Sequence, residues 1–418
     1  MRYLPHQTSE CGYLTLVNGQ TILPLSPPQR ILMAPGPTNL PPAVLQALIA
    51  PITGHKDPFF LKVVMDETAQ LLRSVFSTQN ATSMSLPGTG GAGMEASLAN
   101  LLQDGDTAVV CVNGMFSARM QEIARRHGAK VVTVTAPWGR AIDPEDVRRA
   151  VQQTKPRVIC TVHGETSTGV LQPIEEIGRI AQEFDSFLIV DAVATLGGVP
   201  VLPDAWNSAI CYAASQKCLS APPGVAPITV SPGAMEYVRN RNGSVRDWYF
   251  DLNEHDRYWF AEERVYHHTA PVPLVYALHE ALRLVAEEGN EARWARHALH
   301  HRALVAGLDA MELELFAERS NLLPTVVSVR VPSGVNDTQL RGALLEDYGI
   351  EISGGLGEFS GKMWRIGVMG YSANQQNILF LLSALETLLA RQGFGSEQAA
   401  GIAAANAVYS MAGDGLPT

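Results

Sequence analysis

Between residues 82 and 230 the sequence alternates between short β-rich runs and amphipathic helical text, a pattern that few folds accommodate. The runs are Thr107–Val112, Lys130–Val134, Arg157–Val162, Phe187–Val190, Ala209–Ala213 and Ile228–Val230. Glu122–His127 and Pro144–Gln153 carry helical spacing between them. Such alternation predicts βαβ units, hence an α/β fold whose mainly parallel sheet has helices on both faces. Helical text resumes at Pro273–Ala286, and a long helix over about 290–311 is expected to link two domains. Thr325–Val331, a helix near Thr338–Asp347 and strand-like Lys362–Val368 predict a smaller α+β domain closed by a helix over Gln375–Arg391. The expected divisions are an extension over 1–29, a large domain over 30–288, a small one over 289–392, and a tail over 393–418. That tail is rich in Ala and Gly and is expected to be partly disordered.

Composition narrows the function classes. A hydrophobic content of 46% supplies material for a buried sheet. A net charge of −10 argues against a nucleic-acid partner or an anionic membrane surface. No apolar stretch is long enough to span a bilayer, and Met1-Arg-Tyr-Leu-Pro-His-Gln7 lacks the pattern of a signal peptide. The cysteines, Cys11, Cys111, Cys160, Cys211 and Cys218, are odd in number and lack metal-ligand spacing. Reduced thiols and a cytoplasmic location are expected.

Two residues carry the strongest chemical signal. An apolar strand ends in a carboxylate at Phe187-Leu-Ile-Val-Asp191, and a lysine follows in Ser215-Gln-Lys217. Pyridoxal phosphate needs both groups: an amine to hold its aldehyde and a carboxylate to keep its ring nitrogen protonated. The end of a strand is where open α/β sheets bind ligands. The bland alternatives are a helix-capping aspartate and a solvated lysine. The apolar text around Lys217, from Ile210-Cys-Tyr-Ala-Ala214 to Ala221-Pro-Pro-Gly224, speaks against the second.

Other clusters fit the same ligand. The glycines of Leu86-Pro-Gly-Thr-Gly-Gly-Ala-Gly93 precede a helical run, Ser97–Leu102, and would let backbone N–H groups approach a phosphate, with Thr89 adding a hydroxyl. Phe116, just past the strand Thr107–Val112, is placed to stack on a flat ring. His163-Gly-Glu-Thr-Ser-Thr-Gly169 follows another strand. There Thr166 is placed to bond the cofactor's phenolic oxygen, whereas Glu165 is expected only to satisfy buried backbone. Arg365, in Trp364-Arg-Ile-Gly367, offers a fork for a substrate carboxylate, the alternative being an ion pair within its domain. Tyr266-His-His-Thr269 places two histidines side by side, without helical zinc spacing or a cysteine partner, so no metal is expected.

Taken together and in this order, these segments resemble the class V aminotransferases of fold type I, specifically the alanine–glyoxylate (serine–pyruvate) aminotransferase family. The likeness runs from about Pro35 to Leu389 and includes Pro35-Gly-Pro-Thr-Asn39, Val190-Asp-Ala-Val-Ala194, Ala221-Pro-Pro-Gly224 and Gly354-Gly-Leu-Gly357. It implies a seven-stranded sheet, pyridoxal 5'-phosphate as cofactor, and ping-pong transfer of an amine from alanine or serine to glyoxylate or pyruvate. Lys217 looks like the lysine that binds the cofactor and shuttles the proton, and Asp191 like the ring-nitrogen partner. Thr89, Gly90, Gly91 and Gln216 match phosphate contacts, and Phe116, Thr166 and Val193 match ring contacts. Tyr266 and Thr269 match residues that reach the phosphate of a neighbouring subunit, which implies a homodimer with shared sites. Gly36, His55, His268 and Arg365 match substrate positions. Two positions depart from the animal enzymes: Phe116 stands where they have tryptophan, and Gly91 where they have histidine. Ureidoglycine and pyridoxamine are alternative donors within the class. A cysteine desulfurase is excluded, because no cysteine follows Cys218.

Overall fold

The computed structural model describes residues 15–18, 20–395 and 399–413. Met1–Arg30 and Ile31–Thr418 are separate compact units. In the first, Thr15–Val17 pairs antiparallel with Gln20–Ile22, and Cys11 lies outside the described residues.

The second unit is built on a seven-stranded sheet. Its strands are β1 (Thr82–Pro87), β2 (Thr107–Val112), β3 (Lys130–Thr135), β4 (Val158–Val162), β5 (Phe187–Asp191), β6 (Ser208–Tyr212) and β7 (Val225–Val230). They lie in the order β1-β7-β6-β5-β4-β2-β3, and β7 runs antiparallel to both of its neighbours. Strands β4 and β6 are buried along their whole length, as their unbroken Val-Ile-Cys-Thr-Val and Ser-Ala-Ile-Cys-Tyr text requires of strands covered on both faces. The sheet matches the sequence expectation apart from β1, whose Thr-Ser-Met-Ser-Leu-Pro text alternates too weakly to reveal a strand.

Two helices position the site. Helix α1 (Gly90–Leu101) begins inside the glycine loop, earlier than the expected start at Ser97. Helix α2 (Met115–Arg126) likewise begins well before Glu122 and carries Phe116 in its first turn. Glycine's poor helix propensity hides the start of α1 in the sequence.

Further along lie α3 (Leu252–Phe260), α4 (Val272–Glu288) and α5 (Asn290–Ala310). A second hydrophobic cluster forms around a three-stranded sheet of β8 (Val326–Arg330), β9 (Ser353–Gly354) and β10 (Met363–Gly367), with α6 (Gln375–Arg391) packed on it. Among the described residues no helix is long and apolar enough to cross a membrane.

One expectation is corrected. The Ala/Gly-rich tail is not a disordered strand of chain over 400–413: it forms helix α7 (Ala400–Gly413), with Ala405 fully buried and the Tyr409 hydroxyl 2.9 Å from His300 Nδ1. Small residues make this possible by letting two helix backbones approach, since a Cβ on Gly307 would stand 3.0 Å from the Gly401 carbonyl.

Candidate active site

The carboxyl ends of β1, β2, β4, β5 and β6 converge on one cleft, lined by Thr89, Gly90, Gly91, Phe116, Arg119, Thr166, Asp191, Val193, Gln216 and Lys217. The sheet does the gathering, because each strand hands its loop to the same edge.

Asp191 forms the floor. It is 3% exposed, its Oδ1 accepts from the Val193 N–H at 2.8 Å, and its Oδ2 accepts from the Tyr212 hydroxyl at 2.8 Å. Burial raises its carboxyl to about 6 in spite of those two donors. Tyr212 escaped the sequence reading, because only the β5–β6 register, which pairs Asp191 with Tyr212, brings the two together.

The Lys217 amine hydrogen-bonds the Pro35 carbonyl. Burial lowers it to about 8; the Cys218 thiol and Asp191 oppose that shift and the Arg365 charge adds to it. Gly36, at φ +100, brings the chain against this amine, and a Cβ there would stand 2.6 Å from Lys217 Nζ.

Arg365 is 7% exposed and donates through Nε to the Gly354 carbonyl at 2.8 Å and through Nη1 to the Thr166 carbonyl at 3.3 Å. No carboxylate lies within ion-pair distance of it among the described residues, so the alternative of an intradomain ion pair is not what the fold makes. Burial lowers its guanidinium to about 10, with the Glu165 charge opposing. A guanidinium has five N–H donors, and the two carbonyls leave most of the fork uncommitted.

Glu165 proves to do more than satisfy nearby backbone. Its carboxylate accepts from the Phe116 N–H at 3.1 Å, the Ser117 N–H at 3.0 Å, the Ser117 hydroxyl at 3.1 Å, and the Ser167 N–H and hydroxyl. It thereby caps α2 from a different loop and fixes the turn that carries Phe116. Gly114 makes room for it, since a Cβ there would meet the Glu165 carboxyl carbon at 2.4 Å. Arg119, which the sequence reading did not single out, lies over the Phe116 ring at 5.0 Å.

The residues present fit pyridoxal phosphate. No side chain caps the N-terminus of α1, so Thr89 and the first-turn N–H groups remain open to an anion. Gln216 lines the same cleft, and the NH2 end of its amide is a further donor for a phosphate. Phosphate donors, a carboxylate for a ring nitrogen and a free amine thus face one another across a single cleft.

Gly36 and Arg365 border this cleft through Lys217 and Thr166, and four other expected site residues lie away from it. Tyr266 and Thr269 are exposed and hydrogen-bond each other at 3.1 Å. The His55 ring lies 5.3 Å from that of Tyr266. His268 is buried against Tyr258 and against two further histidines.

The fold and the cleft define a pyridoxal-phosphate enzyme of fold type I. The sequence profile described as Aminotransferase class-V matches residues 31–370, and the chain belongs to that family. It is 40% identical to the (S)-ureidoglycine–glyoxylate transaminase of Bacillus subtilis, over 93% of this chain and 97% of that protein. The crystal structure of the Bacillus subtilis ureidoglycine–glyoxylate aminotransferase superposes with a TM-score of 0.90 over 92% of this chain and 99% of that one, at 41% identity. An alanine–glyoxylate aminotransferase structure from Nostoc gives 0.86 at 43% identity, over 88% and 97%. The alanine–glyoxylate aminotransferase of Drosophila melanogaster is 38% identical over 87% of this chain and 93% of that protein. The protein is a class V aminotransferase, and its cofactor is pyridoxal 5'-phosphate.

Proposed function

We propose that this enzyme moves the amine of a small L-amino acid, alanine or serine, onto glyoxylate, releasing the matching 2-oxo acid and glycine. The observation that carries the reading is the uncommitted Arg365 fork, close enough to the Lys217 amine for its charge to depress that group. A guanidinium holds a carboxylate bidentately, and donor and acceptor each present one carboxylate beside the reacting carbon. Glyoxylate is the acceptor named for both kinds of relative, which supports it over pyruvate.

The bound cofactor supplies an electron sink for the pair left when the donor's α-carbon loses its proton. Lys217 Nζ, as the free base, takes that proton, and the same nitrogen returns one to the acceptor-derived product. Asp191, held by Tyr212 and the Val193 N–H, would offer its negative charge to the cofactor's protonated ring nitrogen. Phe116 would offer a flat face to the cofactor within the cleft, and Arg365 would hold the substrate carboxylate and so orient the α-carbon toward Lys217. Tyr266 and Thr269 are assigned to the phosphate of a second copy's cofactor, so the working unit is a homodimer. Their exposure and their position outside their own chain's cleft support that assignment.

A second reading has ureidoglycine as donor. It is favoured by the 40% identity to the Bacillus subtilis transaminase across nearly the whole of both chains. Steady-state rates with alanine, serine and ureidoglycine against glyoxylate separate the two, measured alongside Arg365→Lys. The first reading expects alanine or serine to give the highest kcat/KM, and the variant to raise KM for every carboxylate substrate by roughly tenfold to a hundredfold. Faster turnover with ureidoglycine establishes the second reading, and an unchanged KM in the variant refutes the role of Arg365.

A further inference from the structure

Next to the segment that carries Tyr266 and Thr269, the fold gathers three histidines outside the cofactor cleft of their own chain. His255 comes from α3, and His267 and His268 from the loop before α4. One ring nitrogen of each lies within 4.8 Å of the others. All three are buried.

Their tautomers follow from their partners. A carbonyl only accepts, so His255 Nε2, 2.9 Å from the Tyr249 carbonyl, carries a proton, as does His267 Nε2, 3.2 Å from the Trp248 carbonyl. A neutral imidazole has one proton, which leaves a lone pair on each Nδ1. His267 Nδ1 faces His268 Nδ1 at 2.9 Å. His255 Nδ1 is buried with no hydrogen-bond partner at all. An unmatched buried acceptor is costly, and a hydrogen bond within the His267–His268 pair does nothing to relieve it.

We propose that His255, His267 and His268 bind a divalent cation of the zinc class, with solvent in a fourth position. A group made of three imidazoles, with no carboxylate among its members in the described residues, suits zinc, cobalt or nickel and does not suit calcium or magnesium. The backbone carbonyls on the far nitrogens of His255 and His267 are the outer partners that metal-bound imidazoles use to fix their orientation. Zinc–nitrogen bonds of about 2.1 Å place ligand nitrogens about 3.4 Å apart, so nitrogens at the 4.8 Å limit need to close by about 1.4 Å and the His267–His268 pair, at 2.9 Å, needs to open slightly. The ion would pin the Tyr266–Thr269 segment to α3. The adjacent histidines alone gave no zinc pattern, and the third ligand comes from a helix whose text carries no metal signature.

The test uses the full-length, cofactor-loaded protein, stripped with a chelator, equilibrated with equimolar Zn²⁺ and desalted. Wild type is expected to retain about one zinc per chain, and with Co²⁺ to show tetrahedral d–d absorption. His255→Gln keeps a donor for the Tyr249 carbonyl but removes the ligand, and is expected to weaken retention by at least about tenfold. Near-ultraviolet circular dichroism and cofactor absorbance check its folding, with His255→Asn as a second variant. Failure of the wild type to retain zinc overturns the proposal, as does equal retention by a folded His255 variant. Neither readout depends on turnover, so a negative result leaves the transaminase reading standing.

Discussion

The cofactor cleft and the histidine cluster assemble polar groups in opposite ways. In the cleft, the groups come from the ends of parallel strands and are aimed by backbone, and the Lys217 amine, the Asp191 carboxylate and the α1 N-terminus each face an opening. In the cluster, rings from a helix and a loop pack edge to face, with His255 and His267 centroids 4.6 Å apart, and each orients the next. A strand end is a place fixed by hydrogen-bonded register, so one aspartate there states its role. A packed ring has a role only through its neighbours. The cleft is therefore readable from the chain, and the cluster is not.

The sharpest way to break this contrast is Lys217→Ala. Turnover should fall by roughly 10⁴-fold while zinc retention stays intact, because the amine is irreplaceable in the cleft and absent from the cluster. Borohydride treatment of the loaded wild type should leave the cofactor fixed to Lys217, read by peptide mass. Attachment elsewhere would dissolve the reading of the cleft.

Acidity should separate the regions next. The Lys217 amine must be unprotonated to capture the cofactor, and burial sets it at about 8. Below that pH its free-base fraction falls about tenfold per pH unit, so the rate of reconstitution from apoprotein should rise steeply with pH and level off above about 8. The histidine cluster lies outside the cleft and supplies no group to that profile. A flat reconstitution rate would place the capturing amine elsewhere.

The smallest expected effect is that of Glu165→Gln. One amide oxygen cannot accept from all the donors now served by the carboxylate, and the amide nitrogen would face N–H groups. A loss of about 2 kcal/mol of stability is expected, seen as a lowered Tm, with weaker cofactor retention because Phe116 sits in the first turn of α2. Unchanged stability would mean that the α2 N-terminus needs no such cap.

Much of the fold was legible. The strands from Thr107 to Tyr212 were visible as apolar runs, and Gln375–Arg391 was visible as helical text. The start of α1 was not, because glycine belongs equally to turns and to helix entries. The tail helix was not, because Ala- and Gly-rich text has no amphipathic face until another helix supplies the surface. Glu165 was underrated, because its donors lie on a helix distant in sequence and meet it only when β2 and β4 lie side by side.

By itself, the sequence determined the layered α/β plan, the carboxylate at a strand tip and the lysine beyond the next strand. Each of these depends on periodicity or local composition, and both are written along the chain. The tertiary structure alone decided that Tyr212 braces Asp191, that Arg365 keeps its fork open, that Glu165 caps a remote helix, and that His255 joins His267 and His268. Those facts depend on which surfaces meet in three dimensions, and hydrogen bonds between segments far apart in sequence leave no local pattern.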